Sequence, residues 1–150
     1  IRTDGPPTHL KKSNIPTMGG IFTIIPFLIF LLIICTKLGS PQLYLLFFTV
    51  FSFFITGFLD DYLSVKNKKN TGLKSKEKFI LQSIISIIFI FLAYDKNFLN
   101  PQITLSDSWA INTNIFIFPI SFLILVGLSN SVNLSDGLDG LAAGCSAIVV

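Results

Sequence analysis

Charge is scarce in this sequence: Asp, Glu, Lys and Arg make up 13% of 150 residues, about half the share usual in a soluble domain. Cysteine is scarce too. Cys35 and Cys145 both stand in apolar runs, which excludes a disulfide framework and a zinc-ligand cluster and fits buried thiols. There is one histidine, His9, and no motif of zinc or thiol chemistry around it. Aromatic residues with a polar handle are few, because 16 of the aromatics are Phe against three Tyr and one Trp. The net charge of +3 comes without a basic stripe interleaved with aromatics, so nucleic acid is not an expected partner. Internal repeats, low-complexity tracts and interdomain linkers are absent as well.

What is abundant is apolar surface. Hydrophobic residues reach 51% and the mean hydropathy is +0.73, values that belong to a membrane protein. A helix needs about 20 mostly apolar residues to cross the hydrocarbon core. Four runs qualify: 18–36 with Pro26 inside it, 38–59, 79–94, and a stretch within 108–135 whose first residues are expected to form a loop. Trp109 suits the membrane interface. The second run stops at Asp60-Asp61, and residues 140–150 turn apolar again. The expected fold is therefore all-α and polytopic, one membrane domain over 1–150 with about four spans and the start of a fifth, cut from a longer protein at both ends.

Basic residues are unevenly shared between the loops. Arg2, Lys11 and Lys12 precede the first span, and Lys66, Lys68, Lys69, Lys74, Lys76 and Lys78 follow the second; Lys37 and Lys96 lie on the other side. Under the positive-inside rule this places the start, the 60–78 loop and the segment after about residue 130 in the cytoplasm. Every polar cluster of chemical interest falls on that face.

Three clusters stand out. Asp60-Asp61 presents two carboxylates at a membrane surface, enough negative charge to attract a divalent cation. Ending a helix with acids opposes its dipole, at a cost of some tenths of a kcal/mol. Lys78 abuts the third span and can meet a lipid phosphate, whereas Lys66, Lys68 and Lys69 fit the topology rule without further function. The second cluster places Asn130, Asn133, Asp136 and Asp139 in ten residues with Gly137 and Gly140 among them, a set able to bind a sugar, a base or a metal-bound water. An Asx-rich turn between two helices is the plain alternative. The third runs over residues 5–20, where Lys12 and Thr17 approach the membrane and the Gly19-Gly20 amides could hold a phosphate. His9 in that run has no partner identifiable from sequence.

These clusters read GPPTHLKKSNIPTMGG at 5–20, FLDDYLSVKNKKNTGLKSKEKF at 58–79 and NSVNLSDGLDGLA at 130–142. In that order they resemble the polyprenyl-phosphate N-acetylhexosamine-1-phosphate transferases over nearly the whole chain. Thr17-Met18 before the glycines is similar to the branch that carries a muramoyl-pentapeptide. The resemblance implies about ten spans in the full protein and a cytoplasmic active site in the bacterial inner membrane. It implies transfer of phospho-MurNAc-pentapeptide from UDP-MurNAc-pentapeptide to undecaprenyl phosphate, giving lipid I and UMP for peptidoglycan and cell-wall synthesis, with Mg2+ as cofactor. It also allows a homodimer.

Carried over by position, Asp60 and Asp61 are the catalytic and metal-binding carboxylates, with a third acid implied beyond Val150. Lys12, Thr17, Lys78, Asn130, Asn133, Asp136 and Asp139 then line the nucleotide-sugar and phosphate site. The chain departs from the family pattern at Ser64, where a lysine is usual, and at Asn14, where a glycine is usual. Alternative readings are the sister transferase using UDP-N-acetylglucosamine and, from another class, a transporter. The acids Asp60, Asp61, Asp136 and Asp139 gather at one surface and none sits mid-span, which disfavours an ion path.

Overall fold

A computed structural model describes residues 18–67, 72–106 and 109–135, together with Cys145 and Ile148. In chain order the elements are α1 (Gly20–Leu38), α2 (Pro41–Lys66), α3 (Ser75–Asp95), the strands β1 (Gln102–Ser106) and β2 (Trp109–Asn112), a short 3-10 turn (Asn114–Phe116) and α4 (Ile117–Ser135). Among the described residues four helices are long and apolar enough to cross a membrane, and the chain is a multi-pass membrane protein. Large apolar side chains such as Phe22, Phe30, Phe91 and Leu123 are exposed along them, as lipid-facing residues are. The chain divides into two compact units, 1–85 and 86–150.

In the first unit α1 packs on α2. The buried residues of α1 are Leu28, Leu31 and Cys35, spaced at helical intervals so that they form one stripe. Pro26 lies inside α1 without ending it. The helix stops at Gly39, whose φ of 61° and N–H bond to the Cys35 carbonyl make a left-handed cap that glycine adopts without penalty. Ser40 then opens α2 with Pro41 in its first turn, where a missing N–H costs nothing.

α2 is 26 residues long, roughly 39 Å, against a hydrocarbon thickness of about 30 Å. The expectation that Asp60-Asp61 closes the helix is corrected here: α2 continues to Lys66. Asp60 lies roughly 28 Å along α2 from its start, close to one hydrocarbon thickness, and the rings of Phe58 and Tyr62 stack on either side of it in sequence.

The second unit holds the larger departure from expectation. The first residues of the 108–135 stretch, expected to form a loop, instead belong to an antiparallel hairpin that starts at Gln102, for which no strand was expected, and pairs Gln102 with Asn112, Ile103 with Ile111 and Thr104 with Ala110. Just after α3, Asn97 takes a φ of 56°, and the Phe98 N–H returns to the Ala93 carbonyl at 2.8 Å. Thr113 closes the hairpin base, its N–H and hydroxyl both donating to the Pro101 carbonyl at 2.8 and 2.6 Å. Tyr94 on α3 meets Phe118 on α4 edge to face beside an apolar hollow of about 470 Å³ lined by Ile90 and Phe122 among others.

Candidate functional site

Asp60 is the centre of the described site. Its carboxylate is held at both oxygens: the Leu73 N–H donates to Oδ1 at 2.9 Å and the Lys78 ammonium donates to Oδ2 at 2.8 Å. Lys78 and Asp60 side chains are only 15% and 24% exposed, so the pair is largely removed from water and screened less than a surface ion pair. The contact joins α2 to the second turn of α3 across 18 residues of chain.

The intervening loop is shaped to allow this. Asn67 ends α2 with its N–H on the Leu63 carbonyl at 3.0 Å. Gly72 then lies directly against Asp60: a Cβ there would come within 2.6 Å of Oδ1 and closer still to the backbone carbonyl oxygen. A residue without a side chain is required by this approach. Beyond it the Lys74 N–H donates to the Glu77 carboxylate at 2.9 Å. That is the reciprocal half of a capping box and also puts an acid in the first turn, where the helix dipole favours it. The cap starts α3 at Ser75, four residues before the apolar run, so Lys78 sits on the helix and points its ammonium at Asp60.

Asp61, one residue on, is exposed. Asp60 and Asp61 are the described carboxylates that could serve a hard cation such as Mg2+, which is commonly held by one or two carboxylates with substrate phosphates completing the shell, although on a continuous helix neighbouring side chains do not face each other. Among the described residues no group of three or more His, Cys, Asp or Glu side chains gathers there.

In the second unit, residues 127–135 are the last turns of α4; the rest of the segment, for which an Asx-rich turn is the plain alternative, lies outside the described residues. Asn130 and Asn133 are three residues apart and so share one side of the helix. Asn130 is half-buried and its Nδ2 donates to the Val126 carbonyl at 2.8 Å; Asn133 is exposed. Lys12, Thr17, Asp136 and Asp139 lie outside the described residues, as do His9, Lys68, Lys69, Gly137 and Gly140.

The structure thus brings Asp60 together with Lys78 and adds two participants that sequence reasoning missed. Gly72 and the Leu73 amide act through backbone, and the one signal for them was a lone glycine between a lysine-rich tract and a helix start. Gln82, one turn beyond Lys78 on the same face of α3, is 1% exposed.

Comparison with known proteins adds the following. The family model described as glycosyl transferase family 4 matches residues 43–150. A phospho-N-acetylmuramoyl-pentapeptide-transferase signature matches residues 12–24. Proteins named phospho-N-acetylmuramoyl-pentapeptide-transferase are similar along the chain. That of Prochlorococcus marinus strain MIT 9215 is 72% identical over 99% of this chain and 42% of its own length. That of Bacillus subtilis strain 168 is 39% identical over 99% of this chain and 46% of its own length. The chain therefore spans less than half the length of these curated relatives.

Proposed function

The chain belongs to glycosyl transferase family 4, and from that premise we propose that it is part of a phospho-N-acetylmuramoyl-pentapeptide transferase. The reaction joins an oxygen of undecaprenyl phosphate to the sugar-bearing phosphorus of UDP-MurNAc-pentapeptide. The pyrophosphate bond breaks and UMP leaves with the electron pair of that bond. No net proton is exchanged if the lipid phosphate enters as its dianion, and a phosphate monoester has a second pKa near 6.

The observation that carries this reading is the Asp60–Lys78 pair at the ends of two spans. Phosphoryl transfer depends chiefly on positioning and on neutralising charge spread over phosphate oxygens. Lys78, fixed at the membrane surface by Asp60, offers an ammonium at the depth of a lipid phosphate. Asp60 stops that ammonium from sampling other rotamers, and the Leu73 N–H stops the carboxylate from turning away. Asp60 and Asp61 would hold Mg2+, which when bound supplies charge neutralisation on the pyrophosphate. Lys12, Thr17, Asn130, Asn133, Asp136 and Asp139 are assigned to the nucleotide-sugar and phosphate by their positions in the family pattern. The lysine-rich loops set these groups on the cytoplasmic side of the bacterial inner membrane.

The test uses the full-length protein in detergent with undecaprenyl phosphate and Mg2+, following UMP release. Release from UDP-MurNAc-pentapeptide and not from UDP-N-acetylglucosamine is expected. Release only with the smaller sugar moves the protein to the sister branch, and no release from folded protein with either sugar refutes the transferase assignment.

A further inference from the structure

The hairpin between α3 and α4 is sorted by chemistry. Its register puts Ile103 opposite Ile111, and Gln102 and Thr104 opposite Asn112 and Ala110. Side chains alternate across a strand pair, so the Ile103–Ile111 pair forms one face while Gln102, Thr104, Ala110 and Asn112 form the other. Among the described residues neither face is covered: Ile103 is 36% and Ile111 50% exposed. An isolated two-stranded hairpin is marginal in water, so a hairpin of this kind needs something to take its apolar side.

We propose that the Ile103–Ile111 face of the hairpin seats in the headgroup region of the bilayer, in the leaflet reached by the end of α3 remote from Lys78, with the Gln102–Thr104–Ala110–Asn112 face toward water. Three observations name the lipid surface as the occupant. First, the hairpin is tethered on both sides to membrane-spanning helices, by six residues after Asp95 and by four before Ile117. The first tether is shortened further where Phe98 and Leu99 donate back to Ala93, so the strands cannot rise far from the surface. Second, the apolar exposure continues into the neighbouring turn, where Ile115 is 72% and Phe116 66% exposed just before α4 enters the membrane. Third, Asp107 is the only charged residue from 97 to 135, so the strands carry nothing that would hold them off the interface by hydration of charge. The same scarcity makes the contact apolar in nature and insensitive to salt, unlike a polybasic contact.

The experiment places a nitroxide label at single cysteines replacing Ile103, Thr104, Ala110 or Ile111, in full-length protein with its native cysteines replaced, reconstituted into phosphatidylethanolamine–phosphatidylglycerol vesicles. Collision with oxygen, which concentrates in lipid, is compared with collision with a water-soluble nickel chelate. The expected result is a two-residue alternation, with 103 and 111 favouring oxygen and 104 and 110 favouring nickel, unchanged in high salt. Equal nickel access at all four positions overturns the proposal, because the hairpin then stands in water. Low access to both reagents at 103 and 111 overturns it in favour of a protein partner on that face. Both isoleucines are exposed, so labels there leave the packing of α3 and α4 intact.

Discussion

Replacing Gly72 with alanine puts a methyl group where Asp60 already is. The added Cβ would lie 2.6 Å from Oδ1 and 2.8 Å from the carbonyl carbon of Asp60, and nearer to its carbonyl oxygen, whereas real Cβ contacts essentially never fall under 3.0 Å. The carbonyl belongs to α2 and cannot retreat without breaking helix geometry, so the loop must move. Overpacking of this kind costs about 1–3 kcal/mol. A lost hydrogen bond to a charged group, here from Leu73, costs about 1.5–3 kcal/mol. The two are coupled and do not simply add. A local cost of about 3 kcal/mol is roughly 100-fold in the population of the closed loop.

Two readouts follow from that figure. Amide exchange at Leu73 should accelerate by up to about 100-fold, the limit set by the closed-loop population. Transfer activity of the full-length protein should fall with it, because Lys78 loses a fixed partner. An alanine that fitted would instead stabilise by about 0.4–1 kcal/mol, by restricting the unfolded chain. Leu73 exchange and activity at or above the unmodified protein's level in Gly72→Ala would refute the contact and the positioning role built on it.

Other substitutions separate the parts of the site. Lys78→Met leaves Asp60 without its cation in a poorly hydrated place, and a local cost of about 1–3 kcal/mol is expected; Lys78→Arg should recover part of the activity that Lys78→Met loses. Asp60→Asn should abolish transfer in the full-length protein, and unchanged UMP release would remove its assigned role. Glu77→Ala removes the cap on Lys74 and should lower stability by about 1 kcal/mol with kcat retained, read as a shift in Tm beside an activity assay. Ser86 is fully buried and its Oγ has no hydrogen-bond partner among the described residues. Ser86→Ala should therefore be neutral or stabilising by about 1 kcal/mol, and a fall in Tm would reveal a partner for that hydroxyl.

Sequence reading succeeded where the property is summed residue by residue. Phe-rich uncharged runs partition into lipid whatever their neighbours do, so the spans of α1, α2 and α4 were legible, and the third only gained the turn from Ser75 to Lys78. Reading failed where a helix outlasts its apolar run: α2 continues through Asp60-Asp61 to Lys66 because charged residues after the membrane surface still have helix propensity. The hairpin was hidden because its alternation is short and its apolar members, Ile103 and Ile111, sit within a stretch that reads as the approach to a span.

By itself the sequence determined that this chain lives in a membrane, how many times the described part crosses it, and which residues are chemically able to handle phosphate. Those are consequences of transfer free energy and side-chain chemistry, which each residue carries with it. Only the tertiary structure decided that Asp60 is gripped by Leu73 and Lys78 across Gly72, and that the α3–α4 connection is a two-faced hairpin. Both depend on the backbone bringing residues 12 to 18 apart or a strand pair into register. Closure of that kind is set by the path of a turn and the absence of one methyl group, and no single residue announces it.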